Sequence, residues 1–202
     1  MLPLVGEEAV LVRRLLVLQP VGWLVRCFSF GSSTSSRTDF YVHAITDALY
    51  SPESQAPGIP WVRSPLLICD DGLNANEAGM LRSWLESEGL PMLQRIRSPG
   101  DLADDIERRE RGRPLNLMRQ ETRAYSLVIA DRNDEASAVL RFLVDTYREP
   151  GDLLDYELAS LERVRAMRER LESDRDAALE VMRKWRREKA PEVGVAELLS
   201  PI

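Results

Sequence analysis

Residues 65–89 read PLLICDDGLNANEAGMLRSWLESEG, which has the order strand, turn and helix that an α/β sheet requires. Residues 66–69 are apolar without polar alternation, a pattern that predicts a strand buried on both faces. Asp70 and Asp71 follow this strand. A helix ending near Gly89 is then predicted, because apolar side chains recur at helical spacing at Met80, Leu81, Trp84 and Leu85. The stretch therefore predicts one strand–helix unit of an α/β fold.

Two other stretches have the same order. Residues 23–30 (WLVRCFSF) are β-rich, and after a polar loop an amphipathic pattern at 40–49 predicts a helix. Residues 125–130 (YSLVIA) predict a third strong strand, and residues 135–147 the helix that follows it. With three such units, residues 1–150 predict a three-layer α/β domain of Rossmann-like or flavodoxin-like form.

Weaker patterns lie before and between these units. Residues 7–18 fit a short helix with acidic residues in its first turn, and residues 90–96 fit a strand. Ser98 or Asp101 is a candidate cap for a short helix that follows.

The C-terminal part predicts helix. Residues 152–188 contain neither Gly nor Pro, and their apolar residues recur among dense charges of both signs. One long helix is therefore predicted within an extension over residues 151–202, packed on the domain or on a partner. The expected partner is another protein or a second copy of this chain, bound through this helix.

Composition bounds the class of protein. The chain has 202 residues, of which 44% are hydrophobic and 30% charged, and no apolar run approaches the roughly 18 residues of a membrane span. Cys27 and Cys69 both fall in predicted strands, so we expect buried thiols and a cytoplasmic protein. The net charge of -6 includes no basic block, which makes nucleic-acid binding unlikely.

Acidic residues follow two of the predicted strands. Asp70 and Asp71 come after one strand, and Asp131 and Asp134 come after another. Ligands of α/β sheets bind beyond the carboxyl ends of the strands, and carboxylates are ligands that Mg²⁺ prefers. These four residues are candidate Mg²⁺ ligands, which would suit a Mg²⁺-dependent hydrolase such as a nuclease. The alternative is that these aspartates only cap helices.

Part of the chain resembles a signalling family. LLICDD at 66–71, followed by MLRSWLESEG, resembles the opening of response-regulator receiver domains, where an acidic pair helps to bind Mg²⁺. The resemblance implies that Asp131, in LVIADRN, matches the phospho-accepting aspartate. Asp71 and Asp131 lie 60 positions apart (131 minus 71), which exceeds the family spacing. The resemblance therefore implies a degenerate, pseudo-receiver-like module.

The loop FGSSTSSRTDF at 30–40 resembles the phosphate loop of flavodoxin-like FMN proteins. The resemblance implies a nucleotide or flavin binder, because hydroxyls and backbone N–H groups at a helix N-terminus can hold an anion. A serine-rich turn that merely caps a helix is the alternative. The candidate residues are Ser32, Ser33, Thr34, Ser36, Arg37 and Thr38.

His43 is the only histidine, and the predicted helix around it suggests a structural or surface role. The sequence offers no convincing combination of a nucleophile and a base. We therefore expect a non-enzymatic regulatory or protein-interaction module, with the hydrolase and the nucleotide or flavin binder as alternatives.

Overall fold

The computed structural model describes residues 9–32, 39–52, 62–68, 74–148 and 153–202. The chain forms two compact units. Unit 1 comprises Met1–Leu49, Glu53–Arg97 and Lys189–Ile202, and unit 2 comprises Tyr50–Pro52 and Ser98–Glu188. Within the described residues, unit 1 contains an antiparallel sheet with helices and unit 2 contains helices.

Unit 1 is built on a sheet of six strands. Their order is β1-β2-β3-β4-β5, β6 also pairs with β4, and every pairing is antiparallel. After the sheet the chain continues through helix α1, a π-helical turn and helix α2. The bounds are β1 Ala9–Val12, β2 Leu15–Leu18, β3 Leu24–Ser32, β4 Asp39–Ala48, β5 Val62–Arg63, β6 Leu67–Ile68, α1 Ala75–Trp84, the π-helical turn Leu85–Gly89 and α2 Leu90–Arg95.

The pairing of β3 with β4 divides the side chains of this sheet between two faces, because successive residues of a strand point to opposite sides. The first face is covered by the helices of unit 1. On it, Phe28 meets the ring of Trp84 edge-on at 6.2 Å between centroids, and the Arg26 guanidinium donates to the carbonyl oxygen of Leu93 at 3.4 Å. Glu77 ties α1 to the sheet, since its carboxylate accepts the Ile68 N–H at 3.1 Å.

One part of the second face is covered by Lys189–Ile202, which is called the C-terminal segment. Ala190 and Val195 pack there into a cluster of buried apolar residues, which also includes Val17, Val25, Cys27 and Ile45 from the sheet. The Lys189 ammonium anchors this segment. It donates to Asp47 Oδ1 and to the carbonyl oxygen of Ala48, both at 3.0 Å.

Unit 2 consists of helices in the part that the structure describes, and α3 to α6 pack on one another. Ser98 caps α3 as expected, because its hydroxyl accepts the Asp101 N–H while the Asp101 carboxylate accepts the Ser98 N–H. The last residues of α7 already belong to unit 1. The bounds are α3 Pro99–Glu110, α4 Leu117–Ile129, α5 Asn133–Thr146, α6 Asp155–Ser173 and α7 Arg175–Val193.

The sequence correctly indicated a chain that mixes strands and helices, but the sheet is not the expected one. Its antiparallel strands differ from a flavodoxin-like sheet, and no three-layer Rossmann-like arrangement is found among the described elements. Residues 23–30 do form a strand, and residues 135–147 do lie largely in a helix. Residues 125–130 were expected to be a strand and instead end helix α4, where Tyr125 and Val128 are buried.

Three other predictions were wrong for a common reason, which is that short apolar segments fit both periods. Residues 40–49 form strand β4 and not a helix, because their alternation is satisfied by pairing with β3. Residues 7–18 were expected to be helical, yet residues 9–18 form the β1–β2 hairpin. Residues 90–96 were expected to be a strand, but helix α2 occupies 90–95 and continues directly from the preceding π-helical turn.

The single helix expected over residues 152–188 is in fact two helices. Asp174 has extended backbone angles, and its carboxylate accepts the N–H groups of Asp176 and Ala177, so it starts α7 as an N-cap. Leu161 and Val164 of the expected stripe are buried within the chain. None of the helices in the described ranges is long and apolar enough to cross a membrane.

Gly89 was expected to end a helix, but here it allows a close contact. A Cβ at this position would lie 3.0 Å from Phe28 Cε1 and 3.1 Å from Trp84 Cη2. Both rings are buried and have little room to move, so we expect Gly89→Ala to lower the free energy of unfolding by about 1–3 kcal/mol.

Gly79→Ala is the matched control, because its Cβ would meet no atom within 4 Å. It lies in a helix and should be stabilising by about 0.5–1 kcal/mol. Urea denaturation followed by tryptophan fluorescence measures both changes. Equal effects of the two substitutions would contradict the packing described for Gly89.

Candidate functional site

The second face of the sheet is not covered along its whole length by the described residues. Beyond the cluster packed by the C-terminal segment lie Ser29 and Gly31 of β3, Tyr41 and His43 of β4, and Arg63 of β5. Arg63 is exposed and the other four are half-buried. These five residues are called the Tyr41 patch below.

Strand register brings the five residues together. His43 lies directly opposite Ser29 on one side and Arg63 on the other, and Tyr41 lies opposite Gly31. Directly opposed residues project to the same face of an antiparallel sheet. Residues from three strands, separated by up to 34 positions (63 minus 29), therefore form one surface.

The Arg63 guanidinium lies over the ring of Tyr41, with its central carbon 4.6 Å from the ring centroid. This is a cation–π contact, which holds the guanidinium flat while its N–H edge stays available. The ring of Tyr41 also lies 6.3 Å from that of His43. A Cβ at Gly31 would come within 3.3 Å of His43 Cε1, so the glycine leaves this side of the imidazole clear.

The pKa of His43 is lowered from its ordinary value of 6.5, first by partial burial and second by the positive charge of Arg63. Both causes disfavour the imidazolium. His43 is therefore neutral at pH 7, when Arg63 supplies the positive charge of the pair. No hydrogen bond joins His43 to Ser29 within the described part of the chain, so these two residues do not form a serine–histidine pair.

A buried ion pair network lies in unit 2. The carboxylate of Glu121, whose side chain is 2% exposed, accepts two hydrogen bonds from the Arg163 guanidinium at 2.8 and 3.1 Å. It also accepts from the hydroxyls of Tyr125 at 2.9 Å and Ser160 at 2.5 Å. Because the contacts with Ser160 and Arg163 join α4 to α6 and the Tyr125 contact lies within α4, the network has a structural role.

Lys189 and Cys27 are ionisable groups buried in unit 1, and Asp47 is a third that lies beside them. Burial raises the pKa of the Asp47 carboxyl, and the adjacent Lys189 ammonium acts in the opposite direction. Burial, followed by the charge of Asp47, raises the pKa of the Cys27 thiol to about 12. A thiol of this kind is protonated and unreactive at neutral pH. These groups anchor the C-terminal segment and are not arranged for chemistry.

Of the candidate binding residues in the serine-rich loop, only Ser32 lies in the described residues. It is exposed at the end of β3, opposite Phe40. Ser33, Thr34, Ser36, Arg37 and Thr38 lie outside the described residues. The hypothesis of a nucleotide or flavin site there stays a prediction.

The candidate Mg²⁺ ligands are only partly placed. Asp70 and Asp71 lie outside the described residues. Asp131 does not follow a strand, because it begins the turn after helix α4, where its φ is +62° and its carboxylate pairs with Arg175 at 3.1 Å. Asp134 lies in the first turn of α5. Among the described residues, no group of three or more His, Cys, Asp or Glu side chains could hold a metal ion.

Sequence reasoning gave His43 a structural or surface role in a predicted helix and missed its neighbours Tyr41 and Arg63. The signal was an alternation along β4. Val42, Ala44 and Thr46 are buried, whereas Tyr41 and His43, which alternate with them, are half-buried. That period of two predicts a strand with one accessible face.

A second exposed surface lies in unit 2. Phe142 of α5 is 56% exposed and borders a surface cleft of about 410 Å³. The other lining residues are Leu115, Gln120, Arg123, Glu135, Ala138 and Val139. Phe142 is therefore an exposed aromatic position that can be compared with Tyr41.

Comparisons of the chain with protein-family models, with curated proteins and with solved structures found no match. A function therefore has to be inferred from the residues of this chain.

We expect Glu121→Ala to lower the free energy of unfolding by about 3–5 kcal/mol, because it leaves the charge of Arg163 and two hydroxyls without their acceptor. Glu86→Ala is the control, since the Arg82–Glu86 pair is 66% and 49% exposed and is worth less than about 0.5 kcal/mol. Chemical denaturation compares the two. Similar losses would show that the Glu121 network contributes no more than a surface pair.

The pKa of His43 can be measured directly, because the chain has a single histidine and its imidazole gives one Hε1 signal in NMR spectra. We expect a value below 6.5 in the full chain. Arg63→Gln should raise this pKa because it removes a nearby positive charge, whereas Arg63→Lys, which keeps the charge, and Arg82→Gln, on α1, should not. A pKa of His43 that is insensitive to Arg63→Gln would contradict the described geometry.

Proposed function

We propose that this chain is a non-enzymatic protein-interaction module that binds its partner through the Tyr41 patch. One observation carries the proposal. The C-terminal segment covers one part of the second sheet face, and the adjoining part presents the Tyr41–Arg63 stack and His43. Tyr and Arg are the residue types, with Trp, that are enriched at the energetic centres of protein interfaces. A stacked guanidinium is also pre-ordered, so less side-chain entropy is lost on binding.

Buried carboxylates that are paired with cations support a role in binding over one in catalysis. Glu121 and Asp47 each have a cationic partner inside their own unit. Asp105 likewise pairs with Arg108 and Arg109. Catalytic groups are held poised for a substrate, whereas these groups are satisfied by their neighbours. The Tyr41 patch is where polar and aromatic groups remain accessible.

This proposal moves the partner surface away from the C-terminal helix. Leu161, Val164 and Ala178 of its apolar stripe are buried within the chain. Among the described residues of the stripe, only the first two, Leu154 and Leu158, are exposed. The partner remains another protein or a second copy of the chain. A regulatory role and a cytoplasmic location, both expected from the sequence, belong to the same proposal.

Site-specific photo-crosslinking in the cells that natively express the protein tests the proposal. A photoreactive phenylalanine analogue replaces Tyr41, Phe142 or Tyr156, the last two being exposed positions of unit 2. We expect a protein adduct of defined mass at position 41 only. The captured protein is then identified by mass spectrometry and its affinity for the full chain is measured by calorimetry.

Tyr41→Ala should weaken that affinity by about tenfold or more, as expected for a residue at the centre of an interface, and Tyr156→Ala should not change it. Two results would remove the proposal. One is the same adducts at all three positions, and the other is a partner whose affinity does not respond to Tyr41→Ala.

A further inference from the structure

The Tyr41 patch differs in charge from the chain as a whole. The chain carries a net charge of -6, yet the charged side chain of the patch is the cation Arg63, on its β5 side. The ring of Tyr41 holds one surface of that guanidinium at 4.6 Å, so its N–H groups can meet an acceptor from the solvent side. Carboxylates match the planar donor geometry of arginine.

Charge effects on His43 point to the same conclusion. The charge that acts on its imidazole is that of Arg63, which is positive. The side chains around it are Ser29 of β3, Tyr41 of β4 and Arg63 of β5, and on the same face Asp39 lies four positions away along β4, opposite Ile68. An anion bound beside Arg63 would therefore also lie near the imidazole, because Arg63 is directly opposite His43.

From this juxtaposition we infer that the Tyr41 patch recognises an acidic segment of the partner protein, with Arg63 binding a carboxylate and His43 lying beside it. The inference rests on the proposed function and specifies the chemistry of the partner. Charge complementarity selects this occupant, because a basic segment would be repelled by Arg63 and an uncharged one would leave the guanidinium without an anion.

Binding of such a segment depends on pH in a definite direction. The pKa of free His43 is lowered, so the imidazole is neutral near pH 7 and becomes positive as the pH falls. A nearby carboxylate favours the charged form, so the pKa of His43 is higher in the complex than in the free chain. Affinity therefore rises as the pH falls through this range. Glutamates of the partner stay ionised there, because their ordinary pKa is about 4.3.

The test uses the full chain and two synthetic octapeptides, one of Glu and Leu and a counterpart with Gln in place of Glu. The single imidazole signal of His43 is followed by NMR during titration with each peptide at about pH 7.5 and about pH 5.5. The acidic peptide should bind about two to five times more tightly at the lower pH, the range of one exposed ion pair, and should raise the pKa of His43. The Gln peptide should do neither.

Variants separate the contributions of the two side chains. Arg63→Gln should weaken binding of the acidic peptide at both pH values. His43→Gln, whose peptide binding is measured by calorimetry because it has no imidazole signal, should abolish the difference between them. Arg82→Gln, a charge removal on helix α1, serves as the control and should change neither. Equal binding of the two peptides, or binding that ignores Arg63→Gln, would overturn the inference.

Failure of this inference can be told apart from failure of the proposed function. The protein captured at position 41 could bind with an affinity that depends on Tyr41 but not on Arg63→Gln or on pH. That result would support the interaction module and contradict recognition of an acidic segment. If position 41 captures no protein and neither peptide shifts His43, both fall.

Discussion

The antiparallel pairing of β3 with β4 is the constraint on which unit 1 depends. Nine residue pairs are in register, from Leu24 opposite Ala48 to Ser32 opposite Phe40. Because side chains alternate, this register alone assigns Phe28 to the helix-covered face and His43 to the other. A shift of β4 by one residue would place His43 opposite Phe28 and so move the histidine to the helix-covered face. Core and candidate site are therefore fixed by the same backbone hydrogen bonds.

The core part of the second face differs from the Tyr41 patch in how far the described residues cover it. Lys189 fixes the C-terminal segment at the Asp47 end of β4, where Ala190 and Val195 close over the apolar residues. Toward the opposite end of β4 the side chains become polar and aromatic, and they suit contact with solvent or a partner. Along β4 the side chains change from apolar to polar and aromatic where the C-terminal segment ends its cover, which supports the proposal that the Tyr41 patch binds a partner.

The sequence predicted elements that are defined by local signals and missed those that depend on distant partners. The apolar residues of helix α5 recur at helical spacing over its whole length, and the cap of α3 depends only on residues 98–101. Both elements were therefore predicted. Residues 125–130 are too short and apolar to show a period, and their burial among helices decided their structure. The β1–β2 hairpin turns at Arg13, whose φ is +54°, without the glycine or asparagine that usually signals such a turn. The Tyr41 patch requires the pairing of β4 with β5, so proximity of Arg63 to His43 could not be read from the sequence.

The return of Lys189–Ile202 to unit 1 has a consequence for biosynthesis. A ribosome makes β3 and β4 well before it makes the segment that seals the Cys27 side of their sheet, and most of unit 2 is translated in the interval. For that period the nascent sheet exposes apolar surface that the finished protein hides. Chaperone binding would shield it, and the order of synthesis thereby makes the lysine anchor the closing step of assembly.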